Sequence, residues 1–193
     1  MLCYIKYSFS DLSFGFYPLM KIIISILFSF FCFSAAAEEP IVNETEKLNY
    51  FVPEGFKIAY QNHDATSEII EIISAGESLE NWSRMITIQT FTDSNKYDPE
   101  RFILDISRLA KNQCGKVMVE PVATDQQNGF SFSHKVIMCE PNTKTDKSEI
   151  MNIKAIKGKK SFYVAQIINR VDIDENEIRY WAIYLRDLMI ETK

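Results

Sequence analysis

Hydrophobic and polar positions alternate along most of the chain beyond residue 50, and that alternation predicts strands. Phe51-Val-Pro53-Glu-Gly55-Phe56 places a turn ahead of a first strand over residues 56–61, with Asn62-His63-Asp64 as its hairpin loop. Residues 68–74 hold Ile69, Ile70, Ile72 and Ile73, a β-branched run that suits a pleated surface. Residues 83–91 put Ile86 and Ile88 on one face, against Met85, Thr87, Gln89 and Phe91 on the other. Further on, a short strand is predicted over 117–122 and a turn over 125–129. Residues 130–139 alternate cleanly, with Phe130, Phe132, His134, Val136 and Met138 sharing one side. Residues 149–157 and 161–169 read as a hairpin across Gly158-Lys159. The second strand of that pair is apolar on both faces, Phe162, Val164 and Ile168 against Tyr163, Ala165 and Ile167, which places it centrally in a sheet.

The period changes to that of a helix in two places. Asp98-Pro99-Glu100 is a helix start, with an N-cap, a proline at the first helical position and an acid in the first turn. Phe102, Ile103, Ile106, Leu109 and Ala110 follow at helical spacing, and Cys114-Gly115 reads as the stop. The last helix starts over 172–177. Its stripe is Ile178, Trp181, Ala182, Leu185, Leu188 and Met189. The order β-β-β-α-β-β-β-β-α predicts an α+β fold: a mostly antiparallel sheet of about six or seven strands, covered by two main helices, at least partly on each face. The globular domain is expected over residues 51–190.

The front of the chain has a different pattern. Met20-Lys21 leads into an uncharged apolar core of 12 residues, Ile22 to Phe33, broken only by Ser25 and Ser29, then Ser34-Ala-Ala-Ala37 and Glu38. A short basic region, an apolar core and a small-residue cleavage site make a secretory signal peptide cut after Ala37. The apolar run is too short to span a bilayer, which takes roughly 20 residues. The membrane is therefore met only transiently, and the mature protein is expected to be periplasmic or secreted. Residues 1–19 are aromatic and nearly neutral, which fits a misassigned start ahead of Met20. Cys32 sits among bulky phenylalanines and does not suit lipidation. Residues 38–50 are polar and acidic and read as a flexible lead-in.

Export changes the meaning of the cysteines. Cys114 and Cys139 are the two that remain after the cut, and in an oxidising compartment they are expected to form one disulfide. There is no C-x-x-C. Beyond residue 37 the chain carries 19 basic and 25 acidic residues, so bulk charge attracts neither nucleic acid nor anionic lipid. Lys154, Lys157, Lys159 and Lys160 are the one local basic cluster, read as a solvated hairpin tip.

Little of the chain's chemistry matches a catalytic signature. His63 beside Asp64, and His134 on the apolar side of its strand, are the acid–base candidates. His134 reads more simply as a structural histidine. No G-x-S-x-G, H-E-x-x-H, zinc-ligand spacing or glycine-rich phosphate loop occurs, so no metal or cofactor is expected. Asp172-Ile-Asp174-Glu-Asn176 resembles the start of a calcium loop, but the sixth position is Glu177 and the twelfth is Ile183. These acids read instead as a helix cap. Asn43-Glu-Thr45 and Asn81-Trp-Ser83 match the glycosylation acceptor pattern, which matters only on a eukaryotic route. Trp82 and Trp181 are the binding candidates. The simpler reading of Trp82 is a plug closing one end of the sheet, and the functional one is an aromatic contact for a ligand or partner.

Phe51-Val-Pro-Glu-Gly-Phe56, Gly76-Glu77 and Asn81-Trp82-Ser-Arg-Met85-Ile-Thr-Ile-Gln89 together resemble an uncharacterised family of small bacterial secreted proteins. Cys114, Cys139, Gly158 and Phe162-Tyr163-Val164 fall where that family has similar residues, and the resemblance spans about residues 50–188. Phe56 stands where tryptophan is usual. The resemblance implies compartment and fold and no catalytic residue. The strand–helix order is also similar to PsbP-like domains, which are binding or assembly modules. The expected function is an exported, non-catalytic binding or assembly module for an unknown protein or small ligand. The alternative is a secreted hydrolase or effector with a dispersed active site built on His63 or His134.

Overall fold

The computed structural model describes residues 45–142, 146–170 and 174–192. The signal peptide, its cleavage site, the Met20 start, Cys32, Asn43 and Asp172 lie outside the described residues. Two antiparallel meanders make one seven-stranded sheet. The first follows a short strand, β1 (Glu46–Asn49), and comprises β2 (Phe56–His63), β3 (Ser67–Ser74) and β4 (Arg84–Thr92). A single 3-10 turn, Ser94–Lys96, and helix α1 (Pro99–Lys111) then lead to the second meander. It comprises β5 (Cys114–Gln127), β6 (Phe130–Asn142), β7 (Lys147–Lys157) and β8 (Ser161–Asn169). The meanders join where β8 pairs with β4, giving the order β2-β3-β4-β8-β7-β6-β5 with β8 in the centre. Helix α2 (Glu175–Asp187) follows, and β9 (Met189–Thr192) pairs with β1 (Glu46–Asn49) in a separate two-stranded sheet.

The α+β architecture matches the alternation of the sequence, and β8 shows why. Tyr163, Ala165 and Ile167 pack with Ile72, Ile86, Trp181 and Leu185 on the α2 face. Phe162 and Val164 pack with Ile103, Ile137 and Ile153 on the α1 face. Each helix buries one stripe against one side, so a strand between them has no solvent face. A smaller cluster of Ile73, Trp82 and Met85 closes one end of the sheet.

Helix starts follow their local chemistry. Asp98 accepts from the Arg101 backbone N–H at 2.9 Å, and Asp174 accepts from that of Glu177 at 2.9 Å. Asp174 thus caps α2. The helix ends differ from the expected ones. α1 stops at Lys111, where the Asn112 and Gln113 backbone N–H groups fold back on Leu109 and Ala110. Gly115 belongs to β5, where an added Cβ would lie 3.1 Å from the Glu140 carbonyl oxygen. α2 ends at Asp187, and Met189 opens β9, because pairing with β1 replaces the last helical turn.

Three further segments depart from the pattern reading. Glu46–Asn49, expected within a flexible lead-in, form β1. The short strand expected over 117–122 runs the whole of β5, since β6 supplies partners along its length and a bulge between Pro121 and Ala123 absorbs the proline at a sheet edge. Lys154 is not part of a solvated tip: it is 1 % exposed beneath α2. The β5–β6 connection is a tight Asn128-Gly129 turn with both φ angles positive, 54° and 80°, the pairing that right-twisted strands prefer. Cys114 and Cys139 form a disulfide between β5 and β6, with Cα atoms 5.3 Å apart.

Candidate functional site

The two tryptophans meet the ends of the central strands. Arg84 opens β4 and faces Asn169, the last residue of β8, across the ladder. The Arg170 backbone N–H donates to the Ser83 carbonyl at 2.8 Å and extends that contact beyond both strands. The arginine side chains leave on opposite faces. Arg170 lies 3.6 Å above the Trp82 ring, with its Nε donating to Glu149 Oε1 at 2.9 Å. Arg84 lies 5.2 Å above the Trp181 ring, with its Nε donating to Asn169 Oδ1 at 2.6 Å and its Nη2 bonded to Glu177 of α2. Each guanidinium is therefore held by a carboxylate over an aromatic face, an arrangement suited to its planar charge.

Trp82 is 8 % exposed and Trp181 is 2 % exposed. Both are buried, each with an arginine over its ring. The loop of residues 75–83 is pinned by Glu77, which accepts from the Ser83 hydroxyl at 2.6 Å and the Ser83 backbone N–H at 3.1 Å. Burial works against the Glu77 charge, but hydrogen bonds from Ser83, Ser74 and the Arg84 backbone outweigh it and hold the carboxyl below its usual range. Between this loop and Lys147 lies an open polar depression of about 320 Å³. Asn81 is exposed at its rim.

The acid–base candidates are not brought together. His63 ends the edge strand β2 and is exposed. Asp64 turns toward the following residues instead, accepting from the Thr66 and Ser67 backbone N–H groups at 2.7 and 2.8 Å. Those bonds and the Thr66 hydroxyl hold its carboxyl below the ordinary value. His134 is 2 % exposed on β6, opposite Lys154 of β7. Burial, then the Lys154 charge, lower its pKa to about 4, and its Nε2 has no hydrogen-bond partner. Among the described residues no group of three or more His, Cys, Asp or Glu side chains could hold a metal ion.

His134 makes acid stability measurable. The unfolded chain takes up its proton near 6.5 and the folded one near 4. Between those values the unfolded state binds more protons, so folding stability falls as pH drops through that window, by about 3 kcal/mol. A His134→Phe variant should lose this slope. An unchanged slope in the variant would assign it to other groups.

No family model matches the chain, and no curated protein matches it. The resemblance to small bacterial secreted proteins thus finds no matching model. Some solved structures are similar to the chain. One is the Ran-binding protein Mog1p of Saccharomyces cerevisiae, at 14 % identity and TM-score 0.49, covering 77 % of this chain and 95 % of that one. Another is an E65A mutant of Mog1, at 14 % identity and TM-score 0.44, covering 74 % and 84 %. A third is LpqN of Mycobacterium tuberculosis, involved in cell envelope biogenesis, at 12 % identity and TM-score 0.40, covering 81 % and 87 %. These matches give no link to PsbP-like domains.

The arginines over the tryptophans and their glutamates were not legible in the sequence. Arg84 and Glu177 are 93 residues apart, and only the closing of β8 onto β4 brings them together. The one sequence signal was the short Asn81-Trp82-Ser83 segment ahead of a strand.

Proposed function

We propose that the chain is an exported, non-catalytic module that binds a protein partner through the outer face of α2 and the segment before β2. The observation that carries the reading is an exposed aromatic surface. Phe51 and Tyr180 are 56 % and 52 % exposed. Phe51 packs edge-on against Tyr184 at 4.9 Å, and Tyr180 against Trp181 at 4.8 Å. Tyr184 in turn donates its hydroxyl to the Phe51 carbonyl at 2.7 Å, which fixes the segment to the helix. Val52 and Ile183 are also exposed. Rigid aromatic side chains that sit on a buried base lose little freedom on docking and dominate recognition energetics. Export is supported by the pattern of residues 20–37 and by the Cys114–Cys139 disulfide. No helix among the described residues is long and apolar enough to cross a membrane.

Two measurements test the two halves. Fractionation of producing cells should give an oxidised chain starting at Glu38 outside the cytoplasm. A full-length chain in the cytosol with both thiols reduced sinks the export reading. A photo-crosslinking residue at Tyr180 should give a discrete protein adduct in that fraction, while one at Leu104, exposed on α1, should not. No adduct at Tyr180, or equal adducts at both positions, overturns the binding reading.

A further inference from the structure

The turn between β7 and β8 is a built carboxylate site. Its carbonyls point one way: the Lys160 oxygen accepts from the Ser94 backbone N–H at 3.0 Å, and the Lys159 oxygen from the Ser94 hydroxyl at 3.2 Å. Its N–H groups point the other way, onto one side chain of β1. Glu46 Oε2 accepts from the Lys159 N–H at 2.7 Å, and Oε1 from the Ser161 N–H at 3.2 Å and the Lys160 N–H at 3.4 Å. The Tyr163 hydroxyl adds a donor, at 3.3 Å from Oε1 and 3.0 Å from the Glu46 carbonyl oxygen. Successive backbone N–H groups converging on one anion form a nest. Gly158 makes room for it: a Cβ there would lie 2.7 Å from the Ser161 carbonyl oxygen and overlap the Glu46 carboxylate.

The rest of β1 has a single strand partner, with one side-chain bond to it from Asn49 Nδ2 to Glu191 Oε1 at 2.7 Å. It pairs with β9 alone, over four residues, in a sheet of two strands. Such a ribbon is marginal by itself. Two residues after the carboxylate, Leu48 enters the α2-side core and is 7 % exposed, whereas Asn49 and Lys47 face outward. The strand is thus read at two points, an acid in the nest and an aliphatic side chain in an apolar hole. Its ladder bonds are sequence-independent, as in strand addition.

We infer that the Gly158–Ser161 turn, the Leu48 hole and the edge of β9 that pairs with β1 form a receptor for an extended acidic peptide, with a carboxylate two residues ahead of an aliphatic side chain. β1 is its resident occupant and is exchangeable. The inference deepens the reading of a binding module but does not use the aromatic surface, so either can fail alone.

The probe is a labelled peptide of sequence Glu-Thr-Glu-Lys-Leu-Asn-Tyr, which copies residues 44–50. The receptor is the full chain carrying Glu46→Ala and Leu48→Ala, which loosens the resident strand. The peptide should bind this variant at least about tenfold more tightly than it binds the parent chain, and replacing its second Glu by Gln should cost about tenfold or more. Amide NMR shifts should fall on Lys159, Lys160, Ser161 and Ile190. No binding to the folded variant, or equal binding of the Gln peptide, overturns the proposal. Should the double variant not fold, Glu46→Gln in the full chain decides. The amides of Lys159 and Ser161 should then exchange hydrogen at least about tenfold faster while those of Val164 and Ala165 stay protected. Unchanged protection at Lys159 and Ser161 overturns it equally.

Discussion

Replacing Lys154 by methionine is expected to destabilise the domain by about 4 kcal/mol, roughly 10 °C in melting midpoint. The side chain is 1 % exposed, yet it ends in three acceptors. Its Nζ donates to Gln127 Oε1 at 2.6 Å, the Leu188 carbonyl at 2.7 Å and the Arg186 carbonyl at 2.9 Å. Two of these are carbonyls at the C-terminal end of α2, which no intrahelical N–H can satisfy. The ammonium therefore caps the helix from below, where the helix dipole also favours a cation. The Phe132 ring, 4.9 Å away, covers it. Burial pushes the Lys154 pKa down to about 8, with Asp187 pulling the other way and Arg186 adding to the fall, so the group still carries its charge at neutral pH.

Methionine matches the volume and removes the cost of a buried charge. It also takes the donor from Gln127 Oε1 and from the Leu188 carbonyl and leaves the Arg186 carbonyl with Gln127 Nε2 alone, at 3.0 Å, and each unpaired acceptor costs on the order of 1–3 kcal/mol. The second effect wins because two of the acceptors are backbone carbonyls at the end of α2 that cannot turn to water. Chemical denaturation of the two chains measures the difference, and a variant within about 1 kcal/mol of the parent would show that the carbonyls find other donors. The same variant carries a second readout. His134 loses the cation beside it, so its imidazole should titrate above the parent's value of about 4.

Removing the disulfide by Cys114→Ser with Cys139→Ser is expected to cost about 3.5 kcal/mol. The bridge closes a loop of sequence separation 25, whose closure entropy is lifted from the unfolded chain. It also ties the start of β5, an edge strand with one neighbour, to β6. Loss should thus appear first as faster hydrogen exchange along β5, before the central strand β8 is affected. A reductant added to the parent chain should lower the melting midpoint to that of the double variant. Equal midpoints with and without reductant, in a chain shown to be oxidised at the start, would show that the bridge holds nothing that packing does not.

These two effects and the candidate sites divide sharply in how far the chain announces them. The isoleucine run of β3, the two-faced apolar pattern of β8 and the Asp98-Pro99-Glu100 start of α1 are short-range statements. Strand period, helix period and capping depend on neighbours within a few residues, so they survive translation from sequence to structure. The pairing of Cys114 with Cys139 followed from compartment and count. The placement of α1 and α2 on opposite faces followed from β8 having no polar side.

The contacts that make the sites are of another kind. Glu46 reaches a turn 113 to 115 residues away, Lys154 caps a helix 32 to 34 residues away, and Arg84 finds Glu177 across 93. A lone glutamate before a strand, or a lysine in a cluster with Lys157 and Lys159, has the same local signature whether solvated or buried. Its fate is set when the meanders close on β4 and β8 and α2 docks. Most element types and the two-faced core were therefore written into the chain's local pattern, and the disulfide into its cysteine count, whereas β1 and β9 were not. The buried cation, the carboxylate nest and the arginine covers over both tryptophans were decided by tertiary packing alone, because burying a charge is tolerable only where distant backbone or side-chain groups converge to satisfy it.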